Sequence, residues 1–148
     1  WGVEFLFQKQ IGVLEVVSGY MGGDIENPTY KIVCSGFSGH LEVVEVVFDE
    51  SIVSYGTLVK LFFEIHDFTQ TNGQGPDIGT QYLSAIFYCD ENQKNIAEDL
   101  IVQLEEKAYK VATTLRPKVK FHKAESYHQN YYNKSGKTPY CHSYRKVF

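Results

Sequence analysis

Glu42 is the first residue of this chain whose type and position point to chemistry. It lies in the β-branched run Leu41–Phe48. Alternate residues of a strand share a face. Glu42 therefore lies with Val44, Val46 and Phe48, and Glu45 with Leu41, Val43 and Val47. One of these two acids faces the core. Burial penalises the charged form and raises a carboxyl pKa. A carboxylic acid that keeps its proton at neutral pH is a general acid. The competing reading places Glu42 at the strand end, in water.

The run Gly73-Gln74-Gly75-Pro76-Asp77-Ile78-Gly79-Thr80-Gln81-Tyr82 is the second such feature. Long irregular loops in compact domains are commonly functional. This one lacks the Gly-Lys-Ser/Thr ending of a phosphate cradle and does not open a helix. Asp77 can pair with a cation, orient a hydroxyl or close an Asx turn. The thiols form a third set. Cys34 and Cys89 follow apolar runs and read as small buried hydrophobes. Cys141 lies in the polar tail beside Lys137, His142 and Arg145. Basic neighbours and exposure favour a reactive thiolate, and a reactive tail thiol suggests disulfide exchange. The five histidines, His40, His66, His122, His128 and His142, show no metal-ligand spacing. His66-Asp67 ends a helical pattern and reads as structural, at a position where a cation is favoured.

The elements that must position these residues follow from periodicity. Residues 2–9 read as a short helix and residues 13–17 as a strand that ends in the turn Gly19-Tyr20-Met21-Gly22-Gly23. Leu41–Phe48 is a strand. Ser54 caps a helix with Tyr55, Leu58, Leu61, Phe62 and Ile65 on one side. Residues 82–89 form another strand. Asp90 with Gln93 opens a helix that buries Ile96, Leu100, Leu104 and Ala108. Residues 115–122 alternate as a half-exposed strand, and Pro117 places it at an edge. The tail from Glu125 reads as irregular. This order predicts an α+β fold: a mixed sheet with helices packed on it in a two-layer sandwich, with an irregular C-terminal tail.

A chain of 148 residues, 43% hydrophobic and 22% charged, predicts one domain over residues 1–148. No apolar run approaches the roughly 20 residues that span a bilayer, so no membrane partner is expected. Residues 1–148 contain no basic-then-apolar leader pattern, and none is expected. The opening at Trp1, inside a helical pattern, predicts residues upstream. Three widely spaced cysteines are not a secreted disulfide framework. A reducing, cytoplasmic setting is expected, with a domain of an exported fusion as the alternative. Residues 107–148 hold ten of the fourteen Lys and Arg and one acid, Glu125, for a charge of +9, against −13 on the remainder. A basic tail over an acidic body explains this asymmetry better than a nucleic-acid arm, because the bases are interleaved with strand and turn residues.

These features coincide in one family. The chain resembles peptide methionine sulfoxide reductase A along nearly its whole length. Trp1-Gly2-Val3-Glu4 is similar to the end of the family's Gly-Cys-Phe-Trp-Gly signature. Gly19-Tyr20-Met21-Gly22-Gly23 and Asn27-Pro28-Thr29-Tyr30 follow in order. Cys34-Ser35-Gly36-Phe37-Ser38-Gly39-His40-Leu41-Glu42 matches the Gly-x-Thr-Gly-His-x-Glu stretch, with Ser38 in place of Thr. His66-Asp67, the run from Gln74 to Tyr82 and Tyr127-His128-Gln129 complete the set. Leu83 stands where Arg is usual, and Phe68 where Pro is usual. The family's nucleophilic Cys would lie two positions before Trp1, with Phe between them.

The resemblance implies an α+β oxidoreductase that reduces methionine S-sulfoxide, free or in proteins. It names Glu42 as the acid for the sulfoxide oxygen, and Tyr30 and Tyr82 as hydroxyl donors to it. Asp77 would orient this network or the substrate backbone. Trp1 would wall the substrate S-methyl group. The upstream Cys would sit at the first helix's N-terminus and become a sulfenic acid, with Cys141 as the resolving thiol. Thioredoxin or a small dithiol would be the reductant, with no bound cofactor and no metal. If Trp1 were the true start, the alternative is a module that binds oxidised methionine without reducing it.

Overall fold

A computed structural model of the chain describes residues 2–137 and 143–148. Helix α1, Gly2–Gln8, runs into strand β1, Val13–Met21. β1 pairs antiparallel with β2, Leu41–Phe48, in a register that sets Tyr20 opposite Glu42 and Met21 opposite Leu41. The buried carboxyl of Glu4 accepts a hydrogen bond from the Ser18 hydroxyl at 2.9 Å, which pins α1 onto β1. β1 is longer than its first five residues suggested. Residues 18–21 are all buried, and β1 is flanked there on both edges. Gly19 is required in that position. A Cβ on it would lie 2.3 Å from the Phe121 ring and 2.5 Å from the His122 carbonyl oxygen.

Helix α3, Tyr55–Glu64, begins at the expected cap, where the Ser54 hydroxyl accepts from the Thr57 N–H. Before it lies α2, Tyr30–Cys34, a five-residue helix that apolar periodicity did not reveal. Its sign in the sequence is Thr29, whose hydroxyl accepts from the Ile32 N–H. The 67–81 loop is not structureless. It holds a two-rung hairpin, β3 (Gly73–Gln74) with β4 (Asp77–Ile78), and then a 3-10 turn, Thr80–Tyr82. The buried Gln74 amide bridges both the N–H and the C=O of Asp67, at 2.8 and 3.0 Å.

Strand β5, Ala85–Tyr88, helix α4, Glu91–Glu106, and strand β6, Thr114–Pro117, form a parallel β-α-β unit. Asp90 caps α4 as expected, and Leu100 and Leu104 are buried. Ala97 is buried and Ile96 only partly so. Ala108 lies beyond the helix end, exposed and at positive φ, so the chain turns away one residue short of the predicted contact. The single strand expected over residues 115–122 is two. β6 pairs with β5, and β7 (His122–Lys123) pairs with β1. After Pro117, the Lys118 N–H reaches the Tyr88 carbonyl at 2.9 Å. The chain then crosses from one sheet to the other. The architecture is the expected α+β class, with the strands of the described residues in three small sheets. The tail is not wholly irregular, since a 3-10 turn, Ser126–His128, and a short helix α5, Tyr131–Ser135, lie within it.

His66, at the end of α3, is structural as expected, and it is neutral although a helix end favours a cation. Its Nδ1 donates to the Phe62 carbonyl at 2.5 Å, which leaves Nε2 to accept from the Ser84 hydroxyl at 2.7 Å. Ser84 in turn meets Thr113 at 2.7 Å. Burial lowers the His66 pKa to about 4. The unfolded state takes up this proton near pH 6.5, while the folded state resists it down to about 4. Stability therefore falls as pH drops through that window, by about 3 kcal/mol in all. Urea unfolding at pH 4 and pH 7 should show this loss in the parent and a smaller one in His66→Asn. Equal pH dependence in both would remove His66 from the linkage.

Candidate active site

A cavity of about 800 Å³ opens beside the start of β2. Glu42, Tyr30, Asp77 and Tyr82 all line it, together with Met21 and Gly2. They come from four separate elements: the second residue of β2, the first of α2, the first of β4 and the last of the Thr80–Tyr82 turn. The four described residues that the sequence nominated therefore converge on one space. Trp1 and Cys141 lie outside the described residues.

The electrostatics of the cavity follow from its walls. Burial, reinforced by the charge of Asp77, raises the Glu42 pKa to about 7. Glu42 thus holds its proton through much of the neutral range. Burial and then the charge of Glu42 raise the Tyr82 pKa to about 12, so its hydroxyl remains a donor. A hydrogen bond to the Cys34 sulfur, and then burial, push the Tyr30 hydroxyl well above its ordinary range. This is one proton-bearing acid and two phenolic donors around a single volume. Such a set can protonate and hold an oxygen that gains negative charge.

Cys34 is not the remote core thiol that its sequence context suggested. It is half-buried and hydrogen-bonded to Tyr30. α2 is responsible, because Tyr30 and Cys34 lie four residues apart on one helix and share a face. Cys89 is exposed at the far end of β5 rather than buried.

Glu125 is the residue that sequence reasoning missed. Its carboxylate accepts from the Tyr30 N–H at 3.2 Å, the Tyr20 hydroxyl at 3.5 Å and the Tyr127 hydroxyl at 2.7 Å. It also lies 3.6 Å from His128 Nε2, and the His128 ring packs on Tyr30 with centroids 4.4 Å apart. Glu125 thus anchors the first N–H of α2 and, with it, Tyr30. The available signal was its position as the one acid among ten bases, next to Tyr127-His128-Gln129. Gln129 clamps the neighbouring backbone, accepting from the Ser18 N–H at 2.9 Å and donating to the Ser18 and Ala124 carbonyls. His40 is structural. Its Nδ1 accepts from the Gly23 N–H and its Nε2 donates to the Ile25 carbonyl. Among the described residues, no group of three His, Cys, Asp or Glu could hold a metal ion. Nor is any helix there long and apolar enough to cross a membrane.

The sequence and fold match known proteins. The family model described as peptide methionine sulfoxide reductase matches residues 1–148. A peptide methionine sulfoxide reductase MsrA of Nautilia profundicola is 49% identical over 141 residues, covering 95% of this chain and 82% of the relative. The solved methionine sulfoxide reductase A of Corynebacterium diphtheriae is 36% identical, with a TM-score of 0.80 over 92% of this chain and 70% of its own. Mxr1 from Saccharomyces cerevisiae in reduced form is 32% identical, with a TM-score of 0.90 over 98% of this chain and 86% of its own. A family match over every residue, with close relatives over most of their length, leaves one conclusion: the chain belongs to the peptide methionine sulfoxide reductase family.

Proposed function

We propose that this cavity reduces the S epimer of methionine sulfoxide to methionine, with Glu42 supplying the proton that the sulfoxide oxygen takes. The chain is a peptide-methionine (S)-S-oxide reductase, a thiol-dependent oxidoreductase of protein repair. The observation that carries the residue roles is the half-buried carboxyl of Glu42, protonated up to about pH 7 in the same cavity as Tyr30 and Tyr82. Sulfoxide oxygen leaves poorly unless protonated. A thiolate attacks the sulfoxide sulfur while Glu42 protonates the oxygen. The S–O bond then breaks as that oxygen passes to the enzyme sulfur, giving methionine and a cysteine sulfenic acid. The attacking thiol is the Cys placed two positions before Trp1, at the N-terminal end of α1, where the helix dipole favours the thiolate.

Tyr30 and Tyr82 hold the oxygen as charge develops on it. The Tyr30 hydroxyl, beside Cys34, has a single proton to donate to that oxygen. Asp77 orients this group and Trp1 walls the S-methyl side. Cys141 resolves the sulfenic acid, and thioredoxin or a small dithiol reduces the resulting disulfide.

An assay on an S-sulfoxide substrate with dithiothreitol, paired with intact mass and N-terminal sequencing, tests the reading. Reduction is expected from the chain in which Cys-Phe precedes Trp1. Reduction by a chain that starts at Trp1 would assign the nucleophile to Cys34, Cys89 or Cys141 and overturn the site. Tyr30→Phe and Tyr82→Phe should each lower kcat by about tenfold, and the double variant by clearly more than the roughly 10²-fold that independent losses would give, since each hydroxyl partly covers for the other. Additive or negligible losses measured in steady state would separate the two hydroxyls from the developing charge.

A further inference from the structure

Helix α2 has little packing of its own. It is five residues long, and Val33 is its one buried residue. A helix this short holds its shape only through contacts with the rest of the chain. Yet its first residue is Tyr30, part of the cavity wall. Tyr30 is tied from outside the helix in three ways. Its N–H, one of the donors that a helix start leaves without an internal partner, donates to Glu125 Oε1 at 3.2 Å. Its ring packs on His128, with centroids 4.4 Å apart. It also packs against the small buried cluster of Tyr20, Val33 and Ala124. Ala124, Glu125 and His128 all belong to the stretch that follows β7.

That stretch is itself fixed to β1. The Ala124 N–H donates to the Ser18 carbonyl at 2.9 Å, and the Gln129 amide holds both the N–H and the carbonyl of Ser18. Tyr20, fully buried on β1, directs its hydroxyl at 3.5 Å to the same Glu125 oxygen that takes the Tyr30 N–H. Tyr20 is also the β1 residue that stands opposite Glu42 in the strand register. One carboxylate oxygen therefore joins the rung that carries the acid to the residue that carries a phenolic donor. The other oxygen accepts from the Tyr127 hydroxyl at 2.7 Å, which fixes the rotation of the carboxylate. Hydrogen bonds to a carboxylate are shorter and stronger than those between neutral groups. Glu125 lies outside the residues that line the cavity, so it is placed to act on the site through Tyr30 rather than on a substrate.

We propose that Glu125 is a positioning residue of this site: by holding the Tyr30 N–H, it sets where the Tyr30 hydroxyl stands relative to Glu42. This rests on the proposed function in giving that hydroxyl to the sulfoxide oxygen. A carboxylate that merely fastened the tail to the body would lower stability when removed, and its effect on rate would be independent of Tyr30. A positioning residue acts on the rate by way of Tyr30 alone. Displacing a catalytic group by about 1 Å removes much of its effect on the transition state.

The test is a double-variant cycle, read as kcat and KM for S-sulfoxide reduction with dithiothreitol on the chain in which Cys-Phe precedes Trp1. Glu125→Ala should lower kcat by about tenfold, the size of the Tyr30→Phe loss, while KM moves by less than about threefold. In a Tyr30→Phe background the same substitution should cost less than about twofold, because the hydroxyl it positions is already gone. Glu125→Gln keeps an acceptor oxygen for the Tyr30 N–H and should recover most of the rate. Tyr127→Phe covers the case in which Glu125→Ala does not fold, since Tyr127 is exposed and the core is untouched. It frees the carboxylate's rotation and should lower kcat by about two- to threefold, again only where the Tyr30 hydroxyl is present. Amide hydrogen exchange supplies a readout that needs no turnover. In Glu125→Ala the Tyr30 amide should exchange at least about tenfold faster, while α3 keeps its parental rates. Undiminished kcat in both Glu125→Ala and Tyr127→Phe overturns the assignment. So does a loss that multiplies with that of Tyr30→Phe, or a Tyr30 amide whose exchange is unchanged. A parent that reduces no sulfoxide counts against the proposed function alone, and the exchange of the Tyr30 amide then decides whether Glu125 holds Tyr30.

Discussion

Glu42→Gln should lower kcat for S-sulfoxide reduction by on the order of 10²–10³, while KM changes by less than about threefold. The measurement is steady-state kinetics with dithiothreitol on the chain in which Cys-Phe precedes Trp1. Glutamine keeps the size and hydrogen-bonding capacity of the side chain but has no acidic proton to give. A loss confined to kcat therefore separates proton transfer from binding. The sign of the pH dependence follows from the same residue. Burial raises the Glu42 pKa to about 7, and the acid acts only while protonated. The parent's rate should thus decline as pH rises through about 7, on top of any rise from thiolate formation at lower pH. In Glu42→Gln the descending limb should vanish. Equal rates in variant and parent, or an unchanged descending limb, would remove Glu42 from the acid role.

Cys141→Ser should confine a thioredoxin-driven reaction to about one turnover per chain. Each catalytic cycle moves two electrons from the enzyme to the sulfoxide. The first thiol becomes a sulfenic acid, a second thiol condenses with it to a disulfide, and water leaves. Thioredoxin attacks a disulfide, so a chain without the resolving thiol stalls at the sulfenic acid. Rapid-quench counting of methionine formed per enzyme would show a burst near one equivalent and then a plateau. Dithiothreitol, which can reduce a sulfenic acid directly, should restore slow turnover. Sustained thioredoxin-driven turnover would assign resolution to another thiol. Cys34 is then a candidate, since it contacts Tyr30, which lines the cavity.

Much of the fold was legible in the chain because the signals are local. Ser54 and Asp90 announced their helices, since a cap needs only its own residue and an N–H three positions on. Leu41–Phe48 announced a strand by β-branching alone. The errors share one cause. Residues 115–122 alternate like one strand, yet they divide between β5 and β1, and a partner strand leaves no mark on local periodicity. His66 was legible as structural, but its neutrality was not, because Ser84 and the surrounding burial arrive from distant parts of the chain.

The candidate site divides along the same line. The sequence by itself determined which residues are acid, phenol and thiol, and the ordered motifs around Glu42, Tyr30, Asp77 and Tyr82 determined the family. That Glu42 keeps its proton near pH 7 was decided by tertiary structure, because desolvation and the neighbouring Asp77 charge come from packing. So was the recruitment of Cys34 and Glu125, which apolar periodicity counted as a core thiol and a lone tail acid. A pKa and a hydrogen bond each depend on what lies within a few ångströms in space. The chain's linear order does not contain that distance, and only the folded arrangement of β1, β2, α2 and the tail supplies it.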